Sequence, residues 1–339
     1  MRKRNVPPVP APGKQEGSGP EAGRAVRDQE QTGPVRVSVV AWVSLLIVWL
    51  VWGSTYLAIR VGVETIPPLL MAAARNLVAG LIMFPLALRS RRPAVRAAGQ
   101  ATRYRPTRAE WAGCAIVGIL LLVANGVVGV GEKTVPSGLA ALLVATVPLW
   151  LLGIDAGLNH ARLGLAPVAG LALGLAGVAL LSGLGARSGG FSVVGVVIIL
   201  GAAAMWALGT IMARRVTIPD SPALASGMQL LSGGVALLVL AAATGEFGSL
   251  HLAQVSVRSW LALGYLIVMG SMVAFSAYGI AVRALPTTTV ATYAYVNPVI
   301  AVLLGTLILN ERLTPVMFGG GALIVGAVVL VVRRRPPAH

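Results

Sequence analysis

The chain has 339 residues, 56% of them hydrophobic and only 11% charged, with a mean hydropathy of +0.83. Soluble domains carry about a quarter charged residues, so this apolar surface exceeds what a water-facing core can hide, and lipid is the solvent it implies. The net charge of +16 lies in tails and loops between apolar runs, which argues against nucleic acid; the single Cys114 allows no intrachain disulfide, and His160, His251 and His339 lack metal-ligand spacing.

Residues 1–37 are rich in Pro, Gly and charge and poor in large apolar side chains, the composition of a disordered basic tail. The first apolar run begins near Ser38 and is long enough to span a bilayer, so it reads as a membrane helix rather than a cleaved signal. Breaking the chain at charge clusters and prolines then predicts helices over 38–58, 68–88, 110–130, 137–157, 164–184, 193–214, 222–243, 259–281, 287–309 and 315–333. Each is about 20 residues, enough at a rise of 1.5 Å per residue to cross a hydrocarbon core of about 30 Å. A short tail, 334–339, closes the chain. The predicted fold is an all-α polytopic membrane protein of about ten helices.

With the N-terminus inside, the inner segments collect 21 of the 27 Lys and Arg, among them the seven Arg of 89–108; the outer segments hold Arg60, Lys133, Arg187, Arg258 and Arg312. The positive-inside rule therefore predicts both termini in the cytoplasm. The two parts, 38–185 and 190–333, match at an offset of about 150 residues. Trp52 to Pro68 repeats as Trp206 to Pro222 and Pro136 to Pro148 as Pro286 to Pro298, while Gly80 aligns with Gly234. Five helices per repeat is an odd number, so the second repeat enters the membrane from the other side, and inverted repeats place binding sites at their interface near the midplane.

Several segments also resemble a known family: Trp52-Gly53-Ser54-Thr55-Tyr56, Glu64 through Pro67-Pro68, Asn125-Gly126, Val135-Pro136-Ser137-Gly138, Ala145-Thr146-Val147-Pro148 and Tyr293-Ala294-Tyr295-Val296-Asn297-Pro298. Together they are similar to the EamA-domain proteins of the drug/metabolite transporter superfamily, especially the YedA-like exporters. The resemblance covers residues 40–333 and implies a ten-helix exporter of the bacterial inner membrane. It further implies a cavity between the halves, walled by helices 3, 4, 8 and 9, and small-molecule substrates such as amino acids, other metabolites or drugs.

Candidate cavity residues follow from depth and spacing. Pro148 and Pro298 occupy matching positions in helices 4 and 9, where each frees one carbonyl and kinks the helix, beside a cavity or merely for packing. Thr289, Tyr293 and Asn297 recur every four residues along one side of helix 9, against Leu139, Leu143 and Val147 at the aligned positions of helix 4. If both stripes face a cavity, one wall is polar and the other apolar, favouring an amphipathic cargo; otherwise the polar stripe bonds a neighbouring helix. Arg75 lies well inside a span, with Gln229 as its repeat equivalent, and reads either as a cavity group or as a structural arginine. Asn125 is polar at depth. Trp52 and Tyr56 share an aromatic stripe matched by Trp206, either cavity wall or interface anchor. Glu132 with Lys133, and Glu311 with Arg312, are expected as charge pairs in solvated loops.

No P-loop is present and no cofactor is implied, so the energy would come from the substrate gradient or from protons. An exporter is expected rather than an enzyme. The alternatives are a membrane-embedded enzyme acting on a lipid-linked substrate and a non-transporting membrane sensor or scaffold. Oligomeric state has no signature in the sequence.

Overall fold

Helix α1, Val39–Gly62, shows why the chain needs lipid: it is apolar all round. Val39, Val43, Leu46 and Leu50 form an exposed stripe, while Ala41, Leu45 and Val48 turn inward and are buried. The computed structural model describes residues 39–90, 94–95, 101–102, 104–159, 165–180, 191–285, 287–290, 292–311 and 314–333. The tails expected over 1–37 and 334–339 lie outside the described residues, as does Arg312.

The other helices are α2 (Pro68–Ser90), α3 (Arg108–Glu132), α4 (Ser137–Val144 and Val147–Leu158), α5 (Leu165–Leu180), α6 (Val193–Met212) and α7 (Pro222–Ala243). After a short turn at Glu246–Ser249 come α8 (Val257–Tyr265, Leu266–Val273, Ala274–Ala284), α9 (Thr287–Val290 and Tyr293–Leu309) and α10 (Pro315–Arg333). A two-residue antiparallel pair, β1 (Ala94–Val95) with β2 (Ala101–Thr102), sits in the loop between α2 and α3. Among the described residues, seven of these segments are long and apolar enough to cross a membrane, and α5, α9 and α10 hold shorter apolar stretches.

Starts are set by local chemistry. Thr107 caps α3 in a capping box, its hydroxyl accepting from the Glu110 amide at 3.2 Å while the Glu110 carboxylate accepts from the Thr107 amide at 2.7 Å. Ser221 and Ser256 accept from the Leu224 and Ser259 amides at the starts of α7 and α8. The expected kinks are asymmetric. In α4 the helix breaks at Ala145–Thr146, just ahead of Pro148, whereas Pro298 lies within a continuous Tyr293–Leu309 and the break in α9 falls earlier, beside Thr292.

Packing follows the repeat. Helix α2 packs on α7, and α5 on α10, each pair being equivalent helices; α1 packs on α9 and α8, as α6 packs on α4 and α3. The α2–α7 contact is reciprocal: a methyl group at Gly80 would sit 2.9 Å from the Leu231 amide nitrogen, and one at Gly234 would sit 3.0 Å from that of Leu77. Glycine at both positions lets the two backbones meet.

Candidate functional site

Between the repeats lies a cavity of about 550 Å³, walled by α1, α2, α3, α4, α6, α8 and α9. It extends from Ile59 and Val128, near the ends of α1 and α3, to Arg214 just beyond α6. Because Gly113 near the start of α3 abuts Thr217, Arg214 lies at the end of the bundle where α2 finishes and α3 begins, which we call the basic end.

Trp52, Tyr56, Arg75, Asn125, Trp206, Tyr293 and Asn297 all line this space, as do Pro148 and Pro298. Thr289 and Gln229 do not. Thr289 faces a helix break, its carbonyl accepting from Thr292, and Gln229 packs its backbone against Gly118 of α3. Of the expected stripe on α4 Val147 lines the cavity, beside Ala141, Val144, Ala145 and Leu151, whereas Leu139 and Leu143 are fully buried against Val196 and Ile199 of α6. The shift follows from the break at Ala145–Thr146, which interrupts the regular helical register on which that stripe was read.

Arg75 is 5% exposed and held by neutral groups: Nε donates to Ser271 Oγ at 2.8 Å and Nη1 to Asn125 Oδ1 at 3.1 Å. Ser271 belongs to the π-helical stretch of α8, where the wider turn brings Gly270 and Ser271 against Arg75; a methyl group at Gly270 would sit 3.3 Å from Arg75 Nη2. A guanidinium carries five N–H donors, so further donors remain for a ligand. Among the described lining residues the charges are Arg75 and Arg214, with no acid.

Opposite the α4 wall stands an aromatic group. The Trp52 ring lies 5.6 Å from Phe275, 5.1 Å from Tyr278 and 5.3 Å from Tyr293, and Tyr278 lies 6.2 Å from Tyr293, centroid to centroid. All but the tilted Trp52–Tyr278 pair are edge-to-face, an arrangement that contributes about 0.5–1.5 kcal/mol per pair beyond burial. The Asn297 carboxamide, turned with its nitrogen toward α1, donates to the Tyr293 carbonyl at 3.1 Å and the Trp49 carbonyl at 3.3 Å. Phe275, Tyr278, Ser271 and Arg214 escaped sequence reasoning; the i, i+3 spacing of Phe275 and Tyr278 was a usable signal, whereas the π-helical turn behind Ser271 was not.

The far end of the bundle is sewn shut. Thr65 Oγ1 donates to Ser259 Oγ at 2.8 Å, Ser259 Oγ to the Val61 carbonyl at 3.0 Å, and the Leu70 amide to Glu246 at 3.0 Å. Glu311 is no solvated loop charge: its carboxylate accepts from the amides of Ser137 at 2.8 Å and Gly138 at 3.2 Å, capping α4 where Pro136 supplies no side-chain cap. Glu246 is half-buried beneath α2, and burial holds its carboxyl above the ordinary 4.5 although the backbone bonds from Leu70 and Leu69 pull the other way. Glu132 also departs from expectation. Lys133 is exposed, but the Glu132 side chain is fully buried because α3 runs two residues beyond its predicted end and packs against α6 through Gly131.

Residues 40–183 and 193–333 each match the model of the EamA-like transporter family. The chain belongs to the EamA-like transporter family. It is 38% identical over 293 residues to the uncharacterized inner membrane transporter YedA of Escherichia coli K12, covering 85% of this chain and 89% of that protein. It is 25% identical over 288 residues to a probable amino-acid metabolite efflux pump of the same organism, covering 83% and 90%. A solved structure described only as the crystal structure of a protein shares the fold at a TM-score of 0.54 and 21% identity, covering 88% of this chain and 99% of that one. This family member is therefore a multi-pass inner-membrane transporter with a two-repeat architecture.

Proposed function

We propose that this transporter exports small carboxylates with an apolar or aromatic body, apolar amino acids foremost, by alternating access between its two repeats. The observation that carries the reading is the charge of the cavity: Arg75 and Arg214 line it without a single acid among the described lining residues. A cationic drug would meet repulsion there, whereas a carboxylate meets unused guanidinium donors. The α4 wall and the Trp52–Tyr293 cluster then receive the apolar part of the cargo. The relative named as an amino-acid metabolite efflux pump supports the same class.

The positive-inside rule puts the basic end, and with it both termini, in the cytoplasm. The cavity then reaches toward the cytoplasm at Arg214 while hydrogen bonds tie the far, outer end together, the arrangement a loading state of an exporter requires. Proton or substrate gradients supply the energy. Efflux from proteoliposomes of full-length protein, loaded in turn with labelled phenylalanine, leucine and the amine phenethylamine, tests the proposal. Movement of the amino acids but not the amine is expected; selective movement of the amine would overturn it.

A further inference from the structure

One buried acid has no place in cargo binding. Glu132 is 0% exposed, and neither carboxyl oxygen has a hydrogen-bond partner among the described residues. It lies one helical turn beyond the cavity-lining Val128, on the same side of α3 as Asn125. We propose that Glu132 is a proton-binding site that couples export to the transmembrane proton gradient, an inference that rests on the exporter reading above.

The surroundings explain how one proton is felt by the gate. From α1, Tyr56 lies in the cavity wall within electrostatic range of Glu132, and Arg60 binds the Glu132 main-chain carbonyl. From the α9–α10 connection, the Glu311 carboxylate that caps α4 lies within range of the same side chain. Helix α4 contributes Ser137, whose hydroxyl is buried without a partner. Helix α6 offers Ile199 and Gly195, with no titratable group along its length, and α2 offers Pro68 beside Gly129. Lys133, next in the chain, is exposed and interacts instead with Glu246.

A carboxylate buried without a hydrogen bond, its attraction to Arg60 set against repulsion from Glu311, costs several kcal/mol, whereas the neutral acid forfeits far less. The closed outer end accordingly holds Glu132 protonated. Loss of the proton to cavity water, past Tyr56, places a second negative charge beside Glu311, weakens its grip on the α4 N-terminus and favours outer opening. A proton taken up from outside restores the closed state. One proton enters the cytoplasm for each return, and no other bond is made or broken.

Infrared difference spectra of reconstituted full-length protein, stepped from mildly alkaline to mildly acidic buffer, read the site without any cargo. The expected result is a neutral-carboxyl carbonyl band absent from Glu132→Gln but kept in Glu246→Gln and Glu311→Gln. In phenylalanine-loaded proteoliposomes, acid outside should accelerate wild-type efflux, and the ratio of rates with and without the gradient should fall to unity in Glu132→Gln. A band unchanged in Glu132→Gln, or gradient stimulation retained by it, overturns the proposal even where export itself is confirmed. A Glu132 band present in protein that moves no phenylalanine would sink the cargo reading and support the proton site. Should Glu132→Gln fail to fold, Glu132→Asp is expected to shift the band rather than delete it, and an unshifted band counts against the site.

Discussion

Replacing Arg75 by Gln separates recognition from structure. The amide is neutral yet still able to bond Ser271 Oγ or Asn125 Oδ1, which now hold Nε at 2.8 Å and Nη1 at 3.1 Å. A hydrogen bond to a charged group contributes about 1.5–3 kcal/mol, which at 1.4 kcal/mol per factor of ten is a roughly 10- to 150-fold loss of affinity for a carboxylate cargo. Stability should move the other way. A guanidinium 5% exposed with no acid bonded to it carries a desolvation cost of a few kcal/mol that Gln avoids, so the melting temperature should hold or rise. Counterflow in proteoliposomes with labelled phenylalanine, alongside phenethylamine as the analogue without a carboxylate, measures the first effect, and thermal unfolding in detergent the second. A fall in stability with unchanged phenylalanine affinity would refute the reasoning and make Arg75 structural. A lower maximal rate with phenylalanine affinity and stability both unchanged would place its role in gating rather than recognition.

Gly305→Ala should imitate loss of the Glu311 cap, because its methyl group would press on the Glu311 carboxylate and the Ser137 hydroxyl; both Gly305→Ala and Glu311→Ala are expected to lower stability by about 1–2 kcal/mol, read as melting temperature in detergent. Glu246 predicts a pH dependence: its folded carboxyl titrates above the ordinary 4.5, so the native state keeps the proton longer than the unfolded one and stability falls as pH rises through that window. Glu246→Gln should flatten this decline, and a decline unchanged in the variant would assign it to another group. Asn297→Ala removes two bonds of about 1 kcal/mol each that tie α9 to itself and to the Trp49 carbonyl of α1, so phenylalanine efflux should drop while membrane abundance, read by immunoblot, stays within twofold.

Much of this architecture was legible because lipid leaves the chain few options. Apolar runs of spanning length, prolines and basic loops mark the helices, and the aligned Gly80 and Gly234, read only as repeat equivalents, prove to share a contact in which each receives the other repeat's Leu. Trp52, Tyr56, Trp206, Asn125, Tyr293 and Asn297 were picked out as cavity candidates by depth and spacing and do line it, although spacing alone left a helix–helix bond or an interface anchor equally open. What failed were inferences from ideal helical spacing across a break. Thr289 and Leu143 fall on the expected stripes, but the interruptions at Thr292 and at Ala145–Thr146 turn them away from the cavity. Glu132 failed for a different reason: adjacent opposite charges suggest a solvated loop, and only the packing of Gly131 against α6 shows that α3 continues far enough to bury the acid.

The deeper asymmetry lies between equivalent helices. The break in α4 at Ala145–Thr146 maps, by the spacing of Pro148 to Pro298, onto Tyr295–Val296, yet those residues lie inside the continuous second segment of α9. Two aligned stretches thus adopt different conformations in one molecule, while the contact of α2 on α7 stays reciprocal. An alternating-access cycle needs this division of labour: a symmetric frame that both states share, and a pair of helices that exchange shapes between them. Under the exporter reading, α4 and α9 are that pair. The cap on α4 by Glu311, beside the buried Glu132, is then the point where protonation can favour one shape over the other.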